Sequence, residues 1–273
     1  MHSAQKEAFH LSVIVPAYSE KNSLIHNVKH ALKTNDEYIL ELIIIISAHA
    51  DKETLKICKE LSETEKKVTY HIQKKNPGLG YALREGFSLA KGTHVQILYA
   101  DRESNPDLIP EFIKRARETG ADMVVGSRWL VKGSVHNYPP IRYFFNRAYQ
   151  QFFRILFCTP LHDLTFGYNL LRTAVVRNII WHGKKHEITA EMVLKALKLN
   201  YHIEEIPVSW KRRNEGKSAL KITHYLWYPF MALFILICPR RYLCRQDKTI
   251  DRKNNQSEIP EIIFSKRVFY GGR

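Results

Sequence analysis

The order in which apolar runs and amphipathic stretches alternate constrains the fold of this chain more than any other feature. Residues 11–16 form a short β-rich run stopped by Pro16, and residues 39–46 (ILELIIII) form an apolar run of the kind expected of a strand covered on both faces. Residues 67–72, 94–99 and 122–126 read as further strands. Between them, residues 19–33, 52–61, 80–91 and 106–119 read as helices. In the first of these, Leu24, Val28, Ala31 and Leu32 share one face. Strands alternating with helices demand right-handed crossovers, so the expected fold is α/β: a Rossmann-like, mostly parallel sheet flanked by helices.

The second half is less regular. In residues 141–158, Ile141, Phe144, Phe145, Ala148, Tyr149, Phe152, Phe153 and Leu156 recur at amphipathic-helix spacing, with Arg142, Arg147 and Arg154 between them. Residues 166–171 and 201–210 read as strands and 189–199 as a helix. Residues 225–238 (YLWYPFMALFILIC) are the most hydrophobic segment, but they fall short of the roughly 20 residues a spanning helix needs and contain Pro229. An interfacial helix, half of a broken hairpin and a buried core helix all fit. Tyr225, Trp227 and Tyr228 at one end and Arg240, Arg241 and Arg245 after the other favour membrane association. The polar tail from Gln246 onward is expected to be poorly ordered.

Charge narrows the partners. The 273 residues carry 42 Lys and Arg against 27 Asp and Glu, a formal net charge of +15. Nucleic acid, an anionic membrane and a phosphate-bearing substrate would each suit that excess. No nucleic-acid-binding motif is present and the cations are scattered, so nucleic acid is not an expected partner. The 13 histidines show no ligand spacing. Cys58, Cys158, Cys238 and Cys244 form no close pair, which argues against a zinc ribbon or disulfide scaffold and for a reducing compartment. Residues 1–10 lack an apolar core, so no secretory signal is expected and the location should be cytoplasmic. No sequence signal sets an oligomeric state.

An open parallel sheet binds ligands beyond the carboxyl ends of its strands, so candidate residues should follow the strands. After the first come Pro16, Ala17, Tyr18, Ser19 and Glu20. Ser19 can cap the next helix with Glu20 in its first turn, or the turn can cradle a base with Glu20 on a ribose hydroxyl. After the third come Asn76, Gly78, Gly80 and Ala82, where glycines allow backbone amides to approach phosphate. After the fourth come Ala100, Asp101 and Glu103. Carboxylates spaced this way can hold a hard divalent cation beside a diphosphate. After the fifth come Gly126, Ser127 and Arg128, then Lys132. Asp163, Glu191 and the basic loop Arg213, Lys217, Ser218 follow.

In this order the motifs resemble family-2 glycosyltransferases of the glycosyltransferase-A fold, in the branch of dolichyl-phosphate mannosyltransferase-like, polyprenyl-phosphate sugar transferases. The match spans residues 10–220: V-P-x-Y-x-E at Val15 to Glu20, N-x-G-x-G-x-A at Asn76 to Ala82, G-S-R at Gly126 to Arg128, D-x-x-x-G-[FY] at Asp163 to Tyr168, and R-x-x-G-x-S at Arg213 to Ser218. The resemblance implies a catalytic domain over 1–220, a membrane-associating segment over 221–245 and a flexible tail over 246–273, with the protein at the cytoplasmic face of a membrane. It implies single inverting displacement from a nucleotide-sugar donor to a lipid-linked or glycan acceptor, with Mg²⁺ or Mn²⁺ on Asp101 and Glu103. Pro16, Ala17, Tyr18, Glu20, Asp51, Gly78, Gly80, Ala100, Arg213, Lys217 and Ser218 would then bind the donor. Arg128 and Lys132 would hold an acceptor phosphate, and Asp163 or Glu191 would serve as base for a hydroxyl acceptor. Asp163 as fold support and Glu191 as a first-turn acid fit equally.

Two positions depart from the pattern. The acidic run expected after the second strand reads Ser47-Ala48-His49-Ala50-Asp51, and Tyr99 stands where the metal motif has its first Asp. These two substitutions motivate the rival expectation of a non-catalytic nucleotide-sugar-binding protein.

Overall fold

The computed structural model describes residues 9–74, 78–101, 103–136, 138–211 and 227–246. The chain runs β1 (Leu11–Ala17), α1 (Asn22–Asn35), β2 (Ile39–Ile46), α2 (Lys52–Thr64), β3 (Val68–Ile72), α3 (Leu79–Leu89), β4 (His94–Ile97), α4 (Ile109–Thr119) and β5 (Met123–Ser127). It continues through β6 (Val135–His136), α5 (Pro140–Leu156), β7 (Asn169–Arg172), α6 (Thr173–Asn178), α7 (Ile188–Lys198), β8 (Ile203–Pro207), β9 (Trp210–Lys211) and α8 (Trp227–Ile237). Seven strands form one sheet in the order β3-β2-β1-β4-β7-β5-β8, and β6 pairs with β9 in a small second sheet.

The sheet is parallel except for β7, which runs antiparallel to both β4 and β5. Its reversed direction has a consequence for the site. Residues 163–168 enter β7 from the edge where the other strands end.

Strand alternation splits the core into two layers. Ile14, Ile43, Ile45, Val95 and Ile97 face one layer with α3, α7 and α8, whereas Val13, Val15, Leu42, Ile44 and Ile46 face the other with α1, α2 and α4. Five consecutive buried residues, Leu42–Ile46, therefore serve both layers, which is why β2 reads as an apolar run rather than an alternating one.

Helix boundaries differ from expectation for identifiable reasons. Helix α1 begins at Asn22 with no side-chain cap, so Ser19 does not cap it and Glu20 precedes its first turn. The stretch 106–119 divides into a 3-10 turn at Pro106–Leu108 and α4, because Pro110 has no N–H to offer the Pro106 carbonyl. The stretch 201–210 divides at Pro207, after which the Trp210 N–H donates to the Ser134 carbonyl (2.7 Å).

Helix α5 forms where the apolar spacing predicts it, but only part of the expected apolar face packs inward, with Phe153 buried and Tyr149 and Leu156 against the core. Asn146, Gln150 and Phe153 are buried, while Ile141, Phe144, Phe145, Phe152 and Ile155 are exposed. Helix α8 buries Tyr228, Ala232 and Ile235 in the layer shared with α7 and exposes Trp227, Phe230, Phe234 and Ile237. The two helices meet where Tyr149 stacks on Tyr228, with ring centres 6.1 Å apart. Among the described residues, no helix is long and apolar enough to cross a membrane.

Candidate active site

At the carboxyl edge of β1, Tyr18 is half exposed and Glu20 is buried. The Glu20 Oε2 accepts the N–H groups of Tyr18 (2.7 Å) and Ser19 (3.0 Å), so this carboxylate shapes the loop that contains it. Ala17 is pinned below, its carbonyl accepting the Ser47 N–H at 2.9 Å. Beyond β2, Asp51 caps α2: Oδ1 accepts the Thr54 N–H at 2.7 Å. That hydrogen bond holds the Asp51 carboxyl below its ordinary range, with Lys21 adding to the effect.

Beyond β4 the chain turns through Tyr99, the buried Ala100, Asp101 and Glu103. The Tyr99 carbonyl accepts from Asn27 Nδ2 (2.7 Å) and its N–H donates to Ser104 Oγ (2.8 Å). The Tyr99 hydroxyl occupies the space a side chain at Gly167 would need, since a Cβ there would lie 1.9 Å away. Burial, and then the charges of Asp101 and Glu103, raise its pKa, so it stays a neutral phenol and cannot stand in for the missing carboxylate. Asp101 and Glu103 are half-buried: the Glu103 backbone N–H donates to Asp101 Oδ1 (3.1 Å), and Trp210 Nε1 donates to Glu103 Oε2 (3.2 Å).

Two hard carboxylates two residues apart suit Mg²⁺ or Mn²⁺, which commonly take one or two protein carboxylates and complete their shell with phosphate and water oxygens. Among the described residues no group of three His, Cys, Asp or Glu side chains is placed to hold a metal. Phosphate and water would therefore have to complete the shell.

Beyond β5, Arg128 meets Asp163. Nε donates to Oδ2 (2.7 Å) and Nη2 to Oδ1 (3.0 Å), and the Arg128 backbone N–H adds a third bond to Oδ2 (3.1 Å). Both side chains are buried. Gln150 from α5 donates to Asp163 Oδ1 (3.2 Å) and Thr165 Oγ1 (2.8 Å), which explains why this polar residue of the helix faces inward. The Phe166 ring lies 4.6 Å from the guanidinium. Burial works against the Arg128 charge, but Asp163 more than offsets it and the pKa rises above its ordinary value. With both carboxylate oxygens engaged, Asp163 is placed as the anchor of Arg128. Lys132 is exposed on the turn that follows.

Glu191 is buried on α7 and paired with buried Lys195. Its oxygens accept the N–H groups of His182 (2.8 Å) and Gly183 (2.7 Å). Desolvation alone would raise the Glu191 pKa, but the hydrogen bonds from His182 and the Lys195 charge prevail and lower it. Lys195 is lowered by burial. The loop this carboxylate holds is the one that Gly78 and Gly80 touch. A Cβ at Gly78 would lie 2.3 Å from the Lys184 carbonyl oxygen, and one at Gly80 would lie 2.4 Å from that of Gly183. In the structure described, these glycines permit close backbone approach to residues 183–184. Asn76, Arg213, Lys217 and Ser218 lie outside the described residues.

The carboxyl edge thus brings together the loops bearing Tyr18, Glu20, Asp101, Glu103, Arg128 and Asp163, and Glu191 sits beneath a separate loop. Two side chains that sequence reasoning passed over are central. For Gln150 the one signal is its four-residue spacing from Asn146 on an amphipathic helix. Trp210 ends the strand expected over 201–210 and opens the basic loop that follows, and neither placement points to its bond with Glu103.

The family model for glycosyl transferase family 2 matches residues 12–180, more than half of the chain. The chain belongs to glycosyl transferase family 2. It is 28% identical over 217 residues to dolichol-phosphate mannosyltransferase of Pyrococcus furiosus, covering 77% of this chain and 59% of that one. It is 25% identical over 220 residues to glycosyltransferase AglD of Haloferax volcanii, covering 76% and 34%. The chain therefore spans less than two thirds of the length of either relative. A crystal structure of glucosyl-3-phosphoglycerate synthase from Mycobacterium tuberculosis with Mn²⁺, UDP and phosphoglyceric acid superposes with a TM-score of 0.67 at 12% identity, over 86% of this chain and 81% of that one. A crystal structure of the same synthase with Mg²⁺ and UDP gives 0.66 at 14% identity, over 86% and 82%. These likenesses show the fold.

Proposed function

We propose that this family-2 member transfers a sugar from a nucleoside-diphosphate sugar to a phosphate-bearing, lipid-linked acceptor, with inversion at the anomeric carbon, at the cytoplasmic face of a membrane. The observation that carries the proposal is the position of Asp101 and Glu103 after β4, at the sheet edge where β1 and β5 also end. The relative named dolichol-phosphate mannosyltransferase and the solved neighbours holding UDP with a divalent ion support it.

Asp101 and Glu103 would hold Mg²⁺ or Mn²⁺, which when bound neutralises the charge of the departing diphosphate. The loop Pro16–Ala17–Tyr18, shaped by Glu20, offers the exposed Tyr18 ring to the base. Arg213, Lys217 and Ser218 are assigned to the diphosphate by resemblance alone. An acceptor phosphate oxygen forms the new bond to the anomeric carbon as the bond to the nucleoside diphosphate breaks, and the electron pair leaves with the β-phosphate oxygen. That nucleophile is already an anion, so no general base is needed. Asp163 and Glu191 are then free to serve as anchors. Arg128, held charged and oriented by Asp163, supplies positive potential beside the acceptor, and Lys132 provides a second cation.

Membrane docking follows from the outward faces of α5 and α8. Phe144, Phe145, Ile155, Trp227, Phe230 and Ile237 are exposed, and Arg240, Arg241 and Arg245 follow α8. An apolar face bordered by cations fits an anionic bilayer surface. The protein should co-sediment with anionic vesicles, and Phe144→Ser with Phe230→Ser should release it. Unchanged sedimentation of the double variant would refute the membrane assignment.

Incubation with nucleotide sugars, polyprenyl phosphate and Mn²⁺ should yield a glycosylated lipid, with turnover lost in Asp101→Asn. A second reading, a nucleotide-sugar binder without turnover, is favoured by the phenol of Tyr99 where an acid is expected. Donor binding without any product would select it.

A further inference from the structure

A cleft of about 440 Å³ lies on the outer flank of α3, at the β3 edge of the sheet and away from Asp101. One wall is the end of β3 with Lys74, the second is α3 with Tyr81, Arg84 and Glu85, and the third carries Trp181 and Arg245. The third wall is built by long-range ties. The Ile180 N–H donates to the Leu243 carbonyl (2.8 Å) and the Arg245 N–H donates to the Asn178 carbonyl (2.8 Å), which together bring residue 245 opposite α3. The Trp181 indole is fixed in the floor by its own bond from Nε1 to the Val176 carbonyl (2.9 Å).

The charges in this cleft are not internally balanced. Among the described residues, no side-chain hydrogen bond or ion pair engages Lys74, Arg84 or Arg245, and Arg84 contacts only the Tyr81 ring, 5.8 Å away. Glu85 is the one carboxylate lining the cleft, and it already accepts the Lys74 N–H at 3.2 Å. Three basic side chains thus line one concave surface with an aromatic and aliphatic floor. The volume is that of a small-molecule site.

We propose that this cleft is a second binding site, distinct from the donor site, for a phosphate monoester bearing a small organic group, held by Lys74, Arg84 and Arg245 over the Trp181 floor. Arginines fork onto phosphate oxygens in pairs, and lysine adds a point charge. The floor receives the organic part. The phosphate can come from a free metabolite or from a lipid headgroup, since the chemistry recognised is the same.

Calorimetric titration of the full chain with glycerol 3-phosphate, and separately with a soluble short-chain phosphatidic acid, tests this. At least one should bind saturably at one site per chain. Binding of glycerol 3-phosphate as tight as that of the lipid identifies a free phosphomonoester, and preference for the lipid identifies a headgroup. The Arg84→Gln, Arg245→Gln double variant should weaken binding by about tenfold or more, as loss of charge-assisted hydrogen bonds does. Glu85→Gln keeps an acceptor for Lys74 but removes the opposing charge, so it should tighten binding by about threefold, an effect misfolding does not mimic. Saturating UDP with Mn²⁺ should not displace the probe. Absence of saturable binding by both probes, equal affinity in all variants, or displacement by UDP would overturn the proposal. None of these readouts depends on sugar transfer.

Discussion

Two groups of acids sit within the same α/β layer structure and behave oppositely. Asp101 and Glu103, two residues apart at the end of β4, are half-buried, and the Asp101 carboxylate accepts the Glu103 backbone N–H. Asp163 and Glu191 are fully buried, and each is matched by a buried cation, Arg128 and Lys195. Buried acids paired with a buried cation hold loops in place, whereas Asp101 and Glu103, half-buried at the carboxyl edge of the sheet, stand where a ligand can reach them. Sequence patterns cannot make that division, because the position of an acid after a strand (Asp101, Glu103), before one (Asp163) or in the first turn of a helix (Glu191) does not show which distant side chain it meets.

The sharpest way to break the comparison is to remove Asp163. Asp163→Ala strands the buried Arg128 charge and should lower the unfolding free energy by about 3–5 kcal/mol in urea melts. A loss under about 1 kcal/mol would place Asp163 with the ligand-binding acids. At the opposite end of β4, His94 is buried against Phe9, and burial, then Arg172 and Arg117, push its pKa down from 6.5 to about 4. The unfolded chain therefore binds this proton first. Stability contributed by the neutral ring is complete above pH 6.5 and is lost as the pH falls toward 4, by up to about 3 kcal/mol. Urea melts of His94→Gln across that range should show a correspondingly flatter pH dependence. Asp101→Asn should reduce transfer by about a hundredfold or more. Its melting point should hold, because asparagine keeps an oxygen that can accept the Glu103 N–H. The smallest effect is expected at Asp51, where Asp51→Ala removes an α2 cap worth about 1 kcal/mol. Donor affinity in that variant should match wild type, and a large loss of affinity would return Asp51 to the donor site.

Much of the fold was legible. The β-rich runs identified β1 to β5 because a buried parallel sheet leaves a local signature, and the helices between them carried one apolar face each. The direction of β7 was not legible, since a four-residue strand holds no information about which neighbour it joins. The mixed inward side of α5 was hidden for a related reason. Periodicity shows that a helix has an apolar face, but only the partner of Gln150, Asp163 thirteen residues on, shows that Gln150 is buried beside Phe153. Gly78 and Gly80 were legible as glycines but not in role, because the backbone they approach, at residues 183–184, is remote in sequence. Asp101 and Glu103 could be found because their spacing is local. Arg128 and Asp163, 35 residues apart, could each be singled out, but not as a pair.

The assignment of a divalent cation to Asp101 and Glu103 is tested most directly by thermal unfolding of the full chain with UDP and with GDP, each with and without Mn²⁺. A ligand that binds only the native state raises the melting temperature by mass action. At least one diphosphate should do so with Mn²⁺ present and much less without it, and the Mn²⁺-dependent part should vanish in Asp101→Asn and in Glu103→Gln. Stabilisation by a diphosphate that is the same with and without Mn²⁺, or that survives in both variants, would contradict the assignment.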